Sequence, residues 1–487
     1  VGSIRQLAGQ TALYGFSSIV GRLLNYLLVP FYTRIFSAEE YGIVSELFAW
    51  AGFLAVIYTY GMETAFFHFS GKTGSTSKVF NTGVTCLLLS SVLFSTLLVV
   101  FSGPLARTLR YSDHPEYLIW FALIILFDTL SALPFARLRK ENKVLAFVII
   151  RLSGIFINIF FNIFFLWLCP LWIQQEGFFH WLASRLYSPE IGVGYVFLSN
   201  LLASVSTFTL LLPQFRGWKP DIDSALLRDM WWYGLPLLVA GLAGMVNETL
   251  DRAIYKFLAP EPATAMHELG IYSACYKLSI IMTLFIQTFR YAADPFFFSH
   301  RDKEGSRELF ARVMNYFVIT CSFIFTAVML FMDLFKHFIG KEFHSGLHVV
   351  PILLMANLCL GIYYNLSIWY KLTGQTRYGA YFSIAGAVIT IVLLFLLIPA
   401  MGYRGAAWTT LICYASMMLM SYFTGRKHYP IPYDIKKMIF YPLTGLMFYF
   451  AMEGAVILLQ PALSVKLMIA VFLTSMFVAL VWMMEKK

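Results

Sequence analysis

Apolar runs of about 20 residues, separated by short stretches rich in charge, proline or glycine, recur along this chain almost from end to end. A bilayer core of roughly 30 Å takes about 20 residues of helix per crossing, so each run is long enough to cross one. The pattern predicts helices near 11–35, 42–67, 80–102, 116–136, 144–168 and 192–213. A second series follows near 231–257, 268–296, 313–335, 347–371, 379–399, 404–423, 438–458 and 465–484. The expected architecture is an all-α polytopic membrane protein with about 14 transmembrane helices. No connecting loop is long enough for a folded domain outside the membrane. The longest, Cys169–Ile191, carries Trp172, Phe178, Phe179, Trp181, Leu182 and Leu186 and is expected to lie along the interface as an amphipathic stretch.

Polar motifs recur between the two series. Asn25 to Gly42, with Arg34, Ser37, Glu40 and Tyr41, is similar to Asp251 to Gly270, with Lys256, Glu268 and Leu269. Leu138-Arg-Lys-Glu-Asn-Lys143 opens the fifth run as Leu372-Thr-Gly-Gln-Thr-Arg377 opens the eleventh. Because the matched features are loops rather than apolar runs, they point to two pseudo-symmetric six-helix lobes plus a C-terminal helix pair. The lobes are expected over 1–213 and 231–423, joined by a cytoplasmic linker at 214–230, with the additional pair over 424–487. Same-orientation repeats of this kind are a transporter architecture.

Composition narrows the function classes. With 59% apolar and 13% charged residues among 487, the chain has more apolar surface than a water-soluble core could hide. The net charge of +10 suggests no nucleic acid, because no soluble surface is available for a basic patch. It is instead sorted by side. Arg137, Arg139, Lys140, Lys143, Arg216, Lys219, Arg228, Arg301, Lys303, Arg307, Arg312, Lys371, Arg377, Arg426, Lys427, Lys436 and Lys437 fall on one side, which the positive-inside rule makes cytoplasmic, with both termini inside. Val1-Gly2-Ser3 reads as an expression remnant and Ile4–Gln10 is too polar to begin a signal peptide, so no cleaved leader is expected. The six cysteines lie in or beside apolar runs without metal spacing and are expected as free thiols. His344 and His348 are four apart but lack nearby ligands, and no catalytic motif stands in a suitable context. Neither an enzyme nor a metal or cofactor site is expected.

A charge mid-helix costs about 2.5–3.5 kcal/mol on insertion scales, so ionisable groups within spans mark pairs or wet cavities. The cations are Arg22, Arg151, Arg252, Lys277 and Arg290; the anions are Glu46, Glu63, Asp128, Glu248, Asp251, Asp294 and Glu453. Glu248, Asp251 and Arg252 share one helix face by their spacing, and the repeat places Arg22 and Asn25 at the positions of Glu248 and Asp251. This predicts a central cavity in which Arg22, Asn25, Arg151, Arg252 and Lys277 hold an anionic head group. Glu46, Asp128, Glu248 and Asp251 would couple to an ion or gate by pairing. Static ion pairs between helices would use the same residues, and that reading stays open. Glu63, Arg290 and Asp294, near helix ends, fit snorkelling or packing better than function.

The chain resembles bacterial polysaccharide flippases, the O-antigen and capsule transporters of the multidrug/oligosaccharidyl-lipid/polysaccharide exporter superfamily. The resemblance rests on Gly21-Arg-Leu-Leu-Asn25, Pro30-Phe-Tyr-Thr-Arg-Ile-Phe-Ser-Ala-Glu-Glu-Tyr-Gly42, Tyr233-Gly-Leu-Pro236, Asp251-Arg252 and Gly270-Ile-Tyr-Ser-Ala274. It implies alternating access and export of an undecaprenyl-diphosphate-linked oligosaccharide across the bacterial inner membrane. It leaves H+ or Na+ as coupling ions, membrane lipids as surroundings and polysaccharide polymerases as partners. A lipid II flippase for peptidoglycan, a multidrug/cation antiporter and a membrane-embedded glycan polymerase or ligase are the alternatives. The last would usually need a larger outer loop than this chain has.

Overall fold

The computed structural model describes residues 19–72, 74–301 and 303–486. Among these, twelve helices are long and apolar enough to cross a bilayer, and the pair Ala265–Leu278 and Ile280–Ser299, bent by 46°, makes a thirteenth if taken as one span. Each of the last thirteen expected runs falls on one of them. The first, 11–35, begins outside the described residues; its described part is helical over 19–26 and over α1, Leu28–Ile35.

After α1 come α2 (Ala38–Thr59), α3 (Met62–Lys72), α4 (Thr76–Val100), α5 (Glu116–Lys140), α6 (Val144–Ile163), α7 (Phe178–Leu186), α8 (Gly194–Leu211) and α9 (Ser224–Leu258). Then follow α10 (Ala265–Leu278), α11 (Ile280–Ser299), α12 (Ser306–Leu330), α13 (Val350–Leu366), α14 (Arg377–Met401), α15 (Tyr403–His428), α16 (Ile435–Leu459) and α17 (Leu463–Glu485). α2 starts with a reciprocal cap: Glu40 Oε2 accepts from the Ser37 N–H at 2.8 Å, and Ser37 Oγ accepts from the Glu40 N–H at 3.3 Å. That arrangement satisfies two orphan positions of the first turn.

The chain forms two compact units, one of the chain up to Leu28 with Ile43–Met245, the other of Val29–Gly42 with Val246–Lys487. In the first, α4 packs on α5, and α8 packs on both α5 and α6. Its core gathers Tyr60, Met62, Phe66, Phe80, Leu87, Leu133 and Met230. α2 and α3 meet at Tyr60-Gly61, where Gly61 has φ +74 and an added Cβ would sit 3.0 Å from Leu237 Cβ and 3.1 Å from the Gly234 carbonyl. Only glycine takes that conformation without strain at so close an approach.

In the second unit α15 lies against both α13 and α14, and α12 lies against α16. Ala356, Cys359, Tyr363, Trp369, Phe382, Cys413, Tyr414 and Met417 form its core. The stretch Val29–Gly42 is held there by Thr33, Arg34 and Ala38. Arg34 donates to the His337 carbonyl at 2.8 Å, the Gly340 N–H to Thr33 Oγ1 at 3.1 Å, and the Ala38 N–H to Glu342 Oε1 at 3.0 Å. The start of α2 crosses α10 at Gly42 and Gly270. A Cβ on Gly42 would collide with the Met266 carbonyl, and one on Gly270 with the Ala38 carbonyl. The two colliding carbonyls each precede their own helix's glycine by four residues, so the repeated motifs meet each other in like fashion.

Large apolar side chains are exposed on the outward faces of the described helices. On α6, Leu145, Ile149, Phe156 and Phe160 are exposed along one stripe, and α17 exposes Met468, Val471, Phe472, Val478 and Trp482. α7 exposes Phe178, Phe179, Trp181 and Leu186, with Arg185 5.5 Å from the Trp181 ring. Such surface is stable only against lipid. Since lipid is as apolar as leucine, close packing and polar contacts between helices, not exclusion of water, must hold the units together.

Candidate functional site

In the second unit the charged residues of α9 and α10 form one cluster. Asp251 is buried: its Oδ1 accepts from the Arg252 N–H at 2.9 Å and lies 3.4 Å from Arg252 Nε, while its Oδ2 accepts from the Tyr272 hydroxyl at 2.6 Å. The Arg252 guanidinium also donates to the Glu248 carbonyl and sits 4.5 Å from the Tyr276 ring centroid. Arg252 Nε is buried without a hydrogen-bond partner among the described residues. Glu248 is exposed, and Lys277, half-buried, is in electrostatic range of both Glu248 and Arg252. The helix spacing thus correctly placed Glu248, Asp251 and Arg252 side by side. It did not foresee that Tyr272 and Tyr276, one turn apart on α10, cradle them.

One turn before Asp251, α9 is anchored by Asn247, a residue the charge-based reading passed over. Its side-chain amide donates to the Ser383 carbonyl at 3.0 Å and accepts from Thr390 Oγ1 at 3.3 Å, and its carbonyl accepts from Tyr414 at 3.3 Å. A buried amide this fully partnered fixes the rotation of α9 and hence which face presents Glu248 and Arg252. Asn357 does similar work at the bend between α10 and α11, donating to Ser279 Oγ at 3.1 Å and to its carbonyl at 3.5 Å. Breaking a helix frees backbone carbonyls, and in hydrocarbon these must find a donor. An asparagine or a serine inside an apolar run was the signal available.

In the first unit, Arg22 and Asn25 are exposed on the stretch 19–26. Asp128 on α5 and Arg151 on α6 are also exposed and in electrostatic range of each other, with Ser204 beside Asp128. Arg22, Arg139 and Glu63 lie within range of Arg151 too. At 100° per residue, Arg151 stands roughly 155° round from the Leu145–Phe160 stripe, on the same face as Asn158 and Asn162. Asn162, fully buried, donates to the Asn158 carbonyl at 2.8 Å. Glu63 pairs with Arg139, whose guanidinium also lies 5.1 Å from the Phe67 ring.

Glu46 differs from the other carboxylates. It is fully buried, accepts from the Tyr111 hydroxyl at 2.5 Å and from Trp50 Nε1 at 3.4 Å. Burial beside Glu46 pushes the Tyr111 hydroxyl well above the ordinary phenol range. No cluster of three or more His, Cys, Asp or Glu side chains suited to a metal occurs among the described residues. His348 meets Arg404 at 2.7 Å instead of His344. The six cysteines are free, Cys86 partly buried and the others buried.

Taken together, the spans and their apolar faces are those of a multi-pass membrane protein. The same fold occurs in the structure of "Lipid II flippase MurJ, inward closed conformation", which this chain matches at 13% identity over 98% of its length and 99% of the other, with a TM-score of 0.69. An inward-facing multidrug resistance MATE family transporter of the MOP superfamily matches at 14% identity, 84% and 94% coverage and a TM-score of 0.61. The bent form of the Vibrio cholerae MATE transporter VcmN matches at 12% identity, 91% and 100% coverage and a TM-score of 0.53. No curated protein matches the sequence. Residues 7–301 match the family model described as "Polysaccharide biosynthesis protein", and the chain belongs to that family. Its fold is the one these MurJ and MATE structures share.

Proposed function

We propose that the protein flips undecaprenyl-diphosphate-linked oligosaccharide units from the cytoplasmic to the outer leaflet of the bacterial inner membrane for O-antigen or capsule synthesis. Its lobes 1–213 and 231–423 would work by alternating access, with both termini cytoplasmic. The carrying observation is that intramembrane cations occur in both units, Arg22 and Arg151 exposed in one, and Arg252 and Lys277 beside Glu248 in the other. A diphosphate cannot enter hydrocarbon unshielded, and guanidinium groups match its geometry. Asn25 would add hydrogen bonds to the same head group. Asp128 and Glu248, exposed beside these cations, are the candidates for H+ or Na+ coupling, with Glu46 and Asp251 as gating residues.

A lipid II flippase is the second reading, favoured by the match of nearly the whole chain to one. A cation antiporter is less well supported, because Asp251 is already engaged by Arg252 and Tyr272 and is not a free acidic site. In vesicles loaded with lipid-linked oligosaccharide, R22A and R252A variants that insert correctly should lose most translocation; wild-type rates in both would sink the cavity assignment. Depletion separates the cargoes. Viable cells lacking surface glycan indicate a dedicated polysaccharide, and lysis with loss of external peptidoglycan precursors indicates lipid II.

A further inference from the structure

Arg290 lies at the midpoint of α11, the stretch that follows the bend at Ser279. The snorkelling expected of a residue near a helix end fits neither this mid-helix position nor its orientation. The exposed residues Thr288, Tyr291, Ala292, Pro295, Phe298 and Ser299 define the outward stripe of α11, whereas Met282, Ile286, Ala293 and Phe297 define the core face. At 100° per residue Arg290 stands roughly 140° from the centre of the outward stripe, beside the core face. Its guanidinium rests 3.9 Å from the centroid of the Tyr364 ring.

Nothing neutralises this charge. Among the described residues no carboxylate pairs with Arg290, and Asp294, the nearest acid along its own helix, is occupied by Lys371 at 2.9 and 3.0 Å. The groups that face Arg290 from the packed elements are the phenols Tyr363, Tyr364 and Tyr370. Tyr364 in turn neighbours Tyr276, the ring on which Arg252 rests. Two guanidinium groups, each on a tyrosine face, are therefore joined through adjacent rings, with Lys277 lying near Arg252. Lys277 likewise has no carboxylate within ion-pair distance among the described residues. An uncompensated cation inside a span is costly unless an anion visits it.

We propose that Arg290 on Tyr364 is a second anion station, about 15–20 Å along the bent α10–α11 pair from Lys277, through which a lipid-linked diphosphate passes to or from Arg252. This deepens the flippase reading and rests on it. The Asp294–Lys371 pair, at the end of the helix, keeps the one nearby carboxylate from competing for Arg290. A phenol face attracts a guanidinium through its ring quadrupole yet leaves the N–H edges free, so a phosphate can bind Arg290 without displacing a salt bridge.

The test uses the full chain in detergent, with farnesyl diphosphate as probe and inorganic pyrophosphate alongside it, both measured by calorimetry at low ionic strength. R290Q and Y364L should each weaken farnesyl diphosphate binding about tenfold, and R290K should recover most of it. Pyrophosphate binding that equals farnesyl diphosphate binding would mean a free-anion site rather than a lipid one and would overturn the proposal. So would wild-type affinity in R290Q while R252Q is impaired, which leaves the flippase reading standing. If neither wild type nor any variant binds the probe, the diphosphate reading itself fails. Should R290Q fold poorly, R290K and Y364L carry the comparison.

Discussion

Removing the Asp251 carboxylate should be the most damaging single change within the spans. The residue is buried and serves two partners at once, the Tyr272 hydroxyl at 2.6 Å and the Arg252 guanidinium at 3.4 Å. In D251A the Arg252 side chain, only 11% exposed, keeps its charge with the Glu248 carbonyl and the Tyr276 ring as its remaining company. Breaking a buried pair from one side costs about 3–5 kcal/mol. The orphaned Tyr272 hydroxyl, on a residue with no exposed surface, contributes about 1–3 kcal/mol within that loss. Y272F leaves the buried Asp251 Oδ2 without this donor and should cost about 1–3 kcal/mol. Equilibrium unfolding in mixed micelles of D251A, Y272F and the double variant forms a cycle, and the two residues should show a coupling of about 1–2 kcal/mol. A loss under 1 kcal/mol in D251A, or no coupling, would show that Asp251 is not the hub of the cluster.

Three further outcomes follow from other contacts. G270A must drive a methyl into the Ala38 carbonyl, so it should destabilise the protein by about 1–3 kcal/mol, whereas G244A, with open space around it, should be near neutral in the same unfolding assay. N357A leaves the Ser279 carbonyl at the α10–α11 bend without its donor, and hydrogen exchange of the residues flanking the bend should quicken relative to the rest of α11. Burial would raise the Glu141 carboxyl, but hydrogen bonds from Lys143 and Arg137 hold it below the ordinary carboxylate range. Its folded pKa lies below its unfolded one, so its stabilisation is present above the unfolded pKa and is lost as pH falls through the folded value. E141Q should therefore lower stability in the neutral region and flatten the acid limb, converging with wild type at low pH in the same unfolding assay.

The sequence was enough to establish a membrane protein, the approximate positions of its spans and the repeat of Glu40-Tyr41-Gly42 by Glu268-Leu269-Gly270. Hydropathy is summed residue by residue along one stretch, and helix spacing alone places Glu248, Asp251 and Arg252 on one face. The bend at Ser279, by contrast, leaves the whole run apolar, so nothing in hydropathy marks it. The partners of each charge were likewise beyond reach. Arg139 with Glu63, and Lys371 with Asp294, are 76 and 77 residues apart along the chain. Whether Arg290 snorkels or turns inward depends on the rotation of α11 about its own axis. Tertiary packing sets that rotation, because without an apolar driving force between helices in lipid, interlocking side chains and buried amides such as Asn247 and Asn357 decide which face meets which.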